Sequence, residues 1–274
     1  NEGDDSSKIN GVAGKGAQTF LPASQLLIIP VGDADWESKS NAVFGEVVYS
    51  FADDFKVTAG LRQTWEEFSV AFGPTALVPA AIPEDTVKFK ELTYRLVADY
   101  TTDWGLLYAS HSKGFVSGGF NAQNPGPAYD PETLISNEIG VKTDLWSGRA
   151  RLNGAVFDYS YQDIHAQTIN SQTGLTNLVA GDEATVQGTD LEFNVALSKS
   201  LTFNTGLTYL FERKYDKFDI PERAGYSAIH ASGNLIAGAP ELTALMGLDS
   251  DWKFDAGRIT SHINASYNSG VFFD

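Results

Sequence analysis

Few residues of this chain combine the types and spacing that a catalytic or metal site needs. Ser110 and His111 could act as nucleophile and base, but adjacent residues of a strand point to opposite faces. The other histidines, His165, His230 and His262, show no metal-ligand spacing, no H-E-x-x-H motif occurs, and the chain contains no cysteine. The sequence therefore predicts no catalytic residue, no metal site and no cofactor.

The charge balance limits the classes of partner. The chain has 19 lysines and arginines against 35 aspartates and glutamates, a formal net charge of −16 and a pI near 4.5. Nucleic-acid binding depends on clustered basic residues, and here the few basic residues are scattered. A nucleic-acid partner is thus not expected.

The elements that must position the remaining polar residues show a period of two. From Phe55 to Glu66 apolar and polar side chains alternate over twelve positions, which indicates a β-strand. Such a strand is long enough to cross a bilayer at a tilt, which takes roughly 9–11 residues. One face of this segment carries Phe55, Val57, Ala59, Leu61, Gln63 and Trp65.

Ten strands of this kind are predicted, joined by connections that alternate between short and long. Short turns on one rim and long loops on the other are typical of an up-and-down barrel. The predicted strands are 41–51, 55–68, 88–100, 104–115, 133–145, 149–164, 184–197, 201–211, 241–252 and 258–269. The long segments are 69–87, 116–132, 165–183 and 212–240.

Periodicity alone leaves two architectures open. No run of 18 apolar residues exists, which excludes a transmembrane helix, whereas a membrane-spanning β-barrel leaves only an alternating trace. A soluble sandwich gives the same pattern with its apolar face as the core. Aromatic residues at the predicted short-turn ends favour a membrane interface: Tyr49, Phe51, Phe55, Tyr100 and Trp104.

The segment Leu107–Asn121, which reads LYASHSKGFVSGGFN, resembles a stretch of TonB-dependent outer-membrane receptors. Further segments are similar in the same order, from Ala42–Glu46 through Gly188–Glu192 to Gly238–Pro240. The resemblance covers nearly everything from Asn41 onward. Val116 departs from it, because the family usually has Lys or Arg there, and the final residues do not resemble a closing strand.

The resemblance implies an all-β fold, an antiparallel up-and-down transmembrane β-barrel in the bacterial outer membrane. About ten strands of a 22-stranded, plugged barrel are expected in residues 41–274, after a loop or irregular segment at residues 1–40. No plug domain is recognised, so we expect an interior portion of a longer receptor. A ten-stranded outer-membrane protease fits the strand count, but no carboxylate and histidine constellation supports it.

Active uptake is the function that the resemblance implies, rather than enzyme activity. The partners would be outer-membrane lipid, the protein's own plug, a TonB-type energising protein and a small-molecule ligand such as a ferric siderophore, vitamin or glycan. The loops would contact the ligand through Phe120, Asn121, Tyr129, His165, Tyr226 and His230. The lumen would contact the plug through Glu91, Arg95, Glu138, Lys142, Asp190 and Glu192. A β-rich surface binding protein without energised transport is the alternative.

Overall fold

The computed structural model describes residues 34–73, 82–121, 127–169, 176–220 and 228–272. In these ranges no helix is long and apolar enough to cross a membrane. Ten long strands are β1 Ala34–Ser50, β2 Phe55–Phe72, β3 Ile82–Thr102, β4 Gly105–Val116, β5 Glu132–Leu145, β6 Ala150–Gln162, β9 Glu183–Ser198, β10 Leu201–Lys217, β13 Leu242–Phe254 and β14 Gly257–Asn268. Four short strands are β7 His165–Ile169, β8 Thr176–Ala180, β11 Asp219–Ile220 and β12 Ile229–His230.

The ten long strands form one antiparallel sheet in the order β1-β2-β3-β4-β5-β6-β9-β10-β13-β14. This confirms the ten predicted strands and their up-and-down order. Their boundaries differ most at the long-loop rim, where β2 extends to Phe72, β3 begins at Ile82 and β10 extends to Lys217. The first strand begins at Ala34, within the segment predicted to be irregular, and residues 1–33 lie outside the described ranges.

Short and long connections alternate as predicted. The β5–β6 turn illustrates the tight side, because Trp146 and Ser147 both adopt a left-handed backbone with φ of 51° and 56°. At the β3–β4 turn the Thr102 hydroxyl accepts hydrogen bonds from the backbone N–H groups of Trp104 and Gly105, at 3.3 and 3.1 Å. We call the end of the sheet that carries these tight turns the short-turn rim, and the end that carries the long connections the long-loop rim.

The two faces of the sheet differ in chemistry. The apolar face is the side that carries Leu61, Ile139 and Ile263, which are 61%, 62% and 62% exposed. The polar face is the side that carries Thr64, Arg95 and Glu138. No second sheet of described residues covers the apolar face, which contradicts the sandwich alternative.

Two hairpins at the long-loop rim fall in segments that the sequence pattern assigned to loops. The strands β7 and β8 pair with each other, and so do β11 and β12. Both hairpins pack against a small core of Ile164, Ala184 and Phe218. Their strands of two to five residues are too short for a period of two to be recognised.

The sheet has two edges, at β1 and β14. Each edge strand leaves a row of backbone N–H and C=O groups without a partner strand among the described residues. A bilayer core offers no hydrogen bonds to such groups, so a membrane-spanning wall must pair them with further strands.

Adjacent residues of β13 provide a test of which face contacts lipid. Leu245 pairs with Gly206 and lies on the polar face, whereas Met246 pairs with Thr205 and lies on the apolar face, and the two are 55% and 52% exposed. Met246→Arg should destabilise the bilayer-folded state by about 2–4 kcal/mol if the residue lies near the midplane. Leu245→Arg, at matched exposure, should cost far less. Folding titrations in lipid vesicles measure both, and equal costs would contradict this assignment.

Candidate functional site

The polar face carries a concavity of ≈ 430 Å³ that runs across β4, β5, β6, β9, β10 and β13. Four of the six predicted lumen residues line it, namely Glu138, Lys142, Asp190 and Glu192. They converge because cross-strand register places their positions on the same side of neighbouring strands. The structure therefore brings most of the predicted charged set together.

Tyr108 organises one wall of this concavity. Its ring lies over Gly140, where even a Cβ atom would come within 2.5 Å of the ring carbon Cζ. Its hydroxyl donates a 2.5 Å hydrogen bond to Glu138 Oε1, and Lys142 Nζ lies 5.5 Å from the ring centroid. The glycine leaves room for the aromatic ring, so the sequence signal for this wall is a tyrosine opposite a strand glycine.

The other two acids are held by neutral donors. Asn153 Nδ2 donates to Glu192 Oε2 at 3.0 Å, and Thr208 Oγ1 donates to Asp190 Oδ1 at 2.6 Å. A carboxylate can accept more hydrogen bonds than the single one each receives here. The concavity thus presents oriented acceptors that can bind donors of a facing surface.

Glu91 and Arg95 lie elsewhere on the polar face. Arg95 lines a separate concavity of ≈ 400 Å³ on the other side of the sheet's centre, together with Arg62 and Glu46. Glu91 forms an ion pair with Lys113, with 3.3 Å between Oε2 and Nζ. The polar face therefore has an anionic part on β5 and β9, whereas its part on β2 and β3 carries charges of both signs.

At the long-loop rim, residues 117–121 form a segment that we call the rim strap. Ser117 Oγ donates a 2.5 Å hydrogen bond to Glu66 Oε2 of β2. Gly119 and Tyr129 exchange two backbone hydrogen bonds, of 3.1 and 2.8 Å. A Cβ on Gly118 would collide with the carbonyl oxygen of Tyr129 and lie 2.6 Å from Phe89 Cζ. The strap joins β2 to the β4–β5 loop, and this approach requires glycine.

The strap also ends in two anchoring side chains. Phe120 is 7% exposed and packs in a core with Val70 and Phe72. The Asn121 side chain makes two hydrogen bonds with the backbone of Leu178, with Nδ2 donating at 3.0 Å and Oδ1 accepting at 2.7 Å. The structure gives both residues a packing role, and their contact with a ligand stays a prediction.

Tyr129 and His165 lie side by side, with ring centroids 5.1 Å apart in an edge-to-face arrangement. His165 Nε2 donates to the backbone carbonyl of Asp130 at 2.8 Å, and the His165 backbone N–H donates to Glu132 at 2.6 Å. Burial raises the pKa of the Tyr129 hydroxyl, which keeps it a neutral donor. These two predicted ligand residues are brought together.

His230 occupies a different part of the rim, on strand β12. Its side chain is 75% exposed, and its Nδ1 lies 3.0 Å from Asp219 Oδ1. A hydrogen bond from Ser232, which has the largest effect, and one from His230 lower the pKa of Asp219. Tyr226, predicted to act nearby, lies outside the described residues.

The rim between these residues is acidic. Burial raises the pKa of Asp163, and the nearby carboxylates Asp130 and Asp182 raise it further. Among the described residues no group of three or more His, Cys, Asp or Glu side chains could hold a metal ion.

Comparison with known proteins identifies one family. Residues 3–274 match the family model described as TonB dependent receptor-like, beta-barrel. No curated protein sequence matches the chain.

Solved structures share the fold at low sequence identity. The ferric yersiniabactin uptake receptor FyuA from Yersinia pestis has a TM-score of 0.72 at 16% identity, over 88% of this chain and 36% of that chain. The siderophore receptor PiuA from Acinetobacter baumannii has a TM-score of 0.64 at 21% identity, over 80% and 32%. The alcaligin outer-membrane receptor FauA from Bordetella pertussis has a TM-score of 0.58 at 16% identity, over 86% and 38%. The chain thus spans about a third of the length of the solved structures it matches.

The contacts of the rim strap predict that alanine has different effects at Gly118 and at Gly114. Gly118→Ala should loosen the loops that the strap joins, because its Cβ meets backbone that cannot move independently. Gly114→Ala is the matched control, because a Cβ there has nothing within 4 Å. Limited proteolysis of outer-membrane vesicles measures this, and faster loop cleavage is expected for Gly118→Ala alone. Equal cleavage of the two variants would show that the strap does not hold the loops.

Proposed function

The chain belongs to the TonB-dependent receptor-like β-barrel family, and from this premise we propose that its strands form the wall of a receptor for active, TonB-energised uptake of a scarce ligand. The observation that carries the proposal is the family match over residues 3–274 on a ten-stranded antiparallel sheet with an uncovered apolar face.

Proteins of this family lie in the bacterial outer membrane, which confirms the localisation predicted from the sequence. They are receptors and transporters rather than enzymes, so the family also confirms that the chain is not an enzyme. The apolar face is accordingly the lipid-facing side of the wall, and the polar face lines the lumen.

We propose that the lumen wall holds the protein's own plug domain by complementary charge. The arginines Arg62 and Arg95 and the acids Glu138, Asp190 and Glu192 lie on separate parts of the lumen face. A plug that carries basic groups opposite these acids, and groups of both signs opposite Arg62, Arg95 and Glu46, would dock in one orientation. The wall's carboxylates keep free lone pairs for such contacts, since each accepts one hydrogen bond from a neighbouring side chain.

The ligand would be captured at the long-loop rim. Tyr129 and His165 provide an aromatic and donor pair, and the exposed His230 provides a second contact on another hairpin. Phe120 and Asn121 would act mainly by fixing the position of the loops. Tyr226 completes the predicted set.

A chelated metal is the ligand class that we favour within this proposal. FyuA, PiuA and FauA are named for ferric yersiniabactin, a siderophore and alcaligin, and a further structure of the same fold is a copper transporter. The described rim lacks a cluster able to hold a bare ion, which favours recognition of an organic chelate. A ferric siderophore is therefore the first ligand to test, before vitamins and glycans.

The test is uptake of radiolabelled ferric siderophores by cells with and without the gene. Cells lacking it should bind and import less of one siderophore, and an uncoupler of the protonmotive force should abolish import but leave surface binding. Binding that persists without any energy-dependent import would support the alternative, a surface binding protein. No change in either binding or import of siderophores, vitamins and glycans would contradict the proposal.

His230→Ala tests the ligand contact at the rim. The apparent dissociation constant of the imported ligand should rise about fivefold, as expected for the loss of one hydrogen bond of about 1 kcal/mol. His262→Ala is the control, because His262 has the same kind of partner, with Nδ1 2.6 Å from Asp249, but lies on strand β14 within the wall. Binding assays on intact cells measure both, and an equal effect of the two variants would remove His230 from the ligand site.

A further inference from the structure

A row of polar side chains crosses the lipid-facing side at the boundary between apolar residues towards the short-turn rim and polar residues such as Ser160 and Thr185 towards the long-loop rim. Register places His111, Asn137, Asp158 and Gln187 opposite one another on β4, β5, β6 and β9, and Tyr94 of β3 lies diagonally beside His111. We call these five residues the outer polar row. Its neighbours towards the short-turn rim include Ile139 and Val156, 62% and 49% exposed.

The hydrogen bonds of the outer polar row lead to Asp158 from both ends. The Tyr94 hydroxyl donates to His111 Nε2 at 3.0 Å, and His111 Nδ1 donates to Asn137 Oδ1 at 2.7 Å. Asn137 Nδ2 then donates to one oxygen of Asp158 at 3.3 Å, and Gln187 Nε2 donates to the other at 2.6 Å. The direction of the bond from His111 to Asn137 follows because an amide oxygen can only accept, which gives His111 its proton on Nδ1. The Asp158 carboxylate therefore accepts one hydrogen bond from each side of the row.

The row lies near the outer boundary of the hydrocarbon. The strand from Asn137 to Leu145, at the short-turn rim, rises by about 20 Å along the barrel axis at a tilt of about 40°. The apolar band of such barrels is about 25 Å tall. Counted from the short-turn rim, the row therefore lies in the outer part of this band, within reach of the lipid head groups, and the apolar residues below it face acyl chains.

A groove connects the two environments. It has a volume of ≈ 330 Å³ and is lined by Asn137, Ile139, Val156, Asp158, Gln187 and Phe211. Phe211 is the extra residue of a β-bulge between Leu210 and Glu212, and it is 51% exposed beside the groove. The groove thus has an apolar floor and an aromatic side that continue the lipid-facing surface, and a polar outer end.

The charges around the groove select the type of head group. Asp158 is the one carboxylate of the row, and His111 uses Nε2 to accept a hydrogen bond from Tyr94. The lysine above the groove, Lys214, is already paired with Glu212 and Asp216, at 2.5 and 3.5 Å. Among the described residues around the groove, a phosphate would meet a carboxylate and a lysine that is already paired, whereas sugar hydroxyls can donate to Asp158 and bond to the amides.

We propose that this groove is a binding site for an outer-leaflet glycolipid, whose sugar hydroxyls contact the outer polar row and whose acyl chain lies along Ile139, Val156 and Phe211. The site is distinct from the lumen and the ligand rim, and its occupancy does not depend on uptake. It fixes the depth of the wall in the membrane through hydrogen bonds as well as through hydrophobic contact.

The test compares two lipids with the same acyl chains, a glucosyl diacylglycerol and a phosphatidylglycerol, added in equal amounts to the purified protein in mixed micelles. Native mass spectrometry measures the ratio in which they are retained. The wild-type protein should retain the glucosyl lipid in about tenfold excess, equivalent to about 1.4 kcal/mol. Asn137→Ala and Asp158→Ala should each bring the ratio close to one, and Phe211→Ala should lower retention of both lipids.

Asn194→Ala is the control for these variants, because Asn194 pairs with Arg151 and Asn204 on the lumen side of the wall. It should keep the wild-type ratio. Heat-modifiable migration on gels verifies that each variant is folded, and a variant that fails is replaced by Asp158→Asn. A ratio near one in the wild-type protein, a preference for phosphatidylglycerol, a ratio unchanged by the row variants, or a protein dimer across the groove in place of lipid would overturn the proposal.

Discussion

Backbone hydrogen bonding in a medium without water is the constraint on which this structure depends. Every spanning strand must pair on both sides, because an unpaired N–H or C=O group in hydrocarbon costs several kcal/mol. The antiparallel ladders of the ten-stranded sheet meet this requirement everywhere except at β1 and β14. Once the backbone groups are paired, the side chains on the two faces can differ in chemistry. The period of two in the sequence follows because successive side chains of a pleated strand point to opposite faces.

That constraint also separates the functional parts of the wall. Lumen-facing positions can carry arginines and carboxylates because they face water or a plug, whereas lipid-facing positions are mostly apolar. Above the membrane the backbone is no longer restricted to one sheet, and the rim strap and two small hairpins appear there. The residues proposed to contact ligand, His165 and His230, belong to this part of the chain.

The sequence predicted the ten strands and their order because a period of two over a dozen residues, punctuated by tight turns, is a strong local signal. For Glu138, Lys142, Asp190 and Glu192 the sequence predicted only that they share the lumen face. Their grouping in one concavity depends on the register between strands. The sequence missed the β7–β8 and β11–β12 hairpins, whose strands are too short to show a period. The ligand role that it suggested for Phe120 and Asn121 stays a prediction. The sequence did not show that these two side chains anchor the strap, because burial at a loop end depends on distant segments such as Val70 and Leu178.

The central claim, that the apolar face contacts hydrocarbon and the polar face an aqueous or plugged lumen, can be measured residue by residue. The chain has no cysteine, so single cysteines introduced along β5 from Leu134 to Leu145 can each carry one nitroxide label in reconstituted protein. Collision rates with oxygen, which partitions into lipid, should peak at Ile139, Val141 and Thr143 and fall at Glu138, Gly140 and Lys142, where a polar relaxation agent should be favoured instead. The reverse pattern, or the absence of a period of two, would contradict the account.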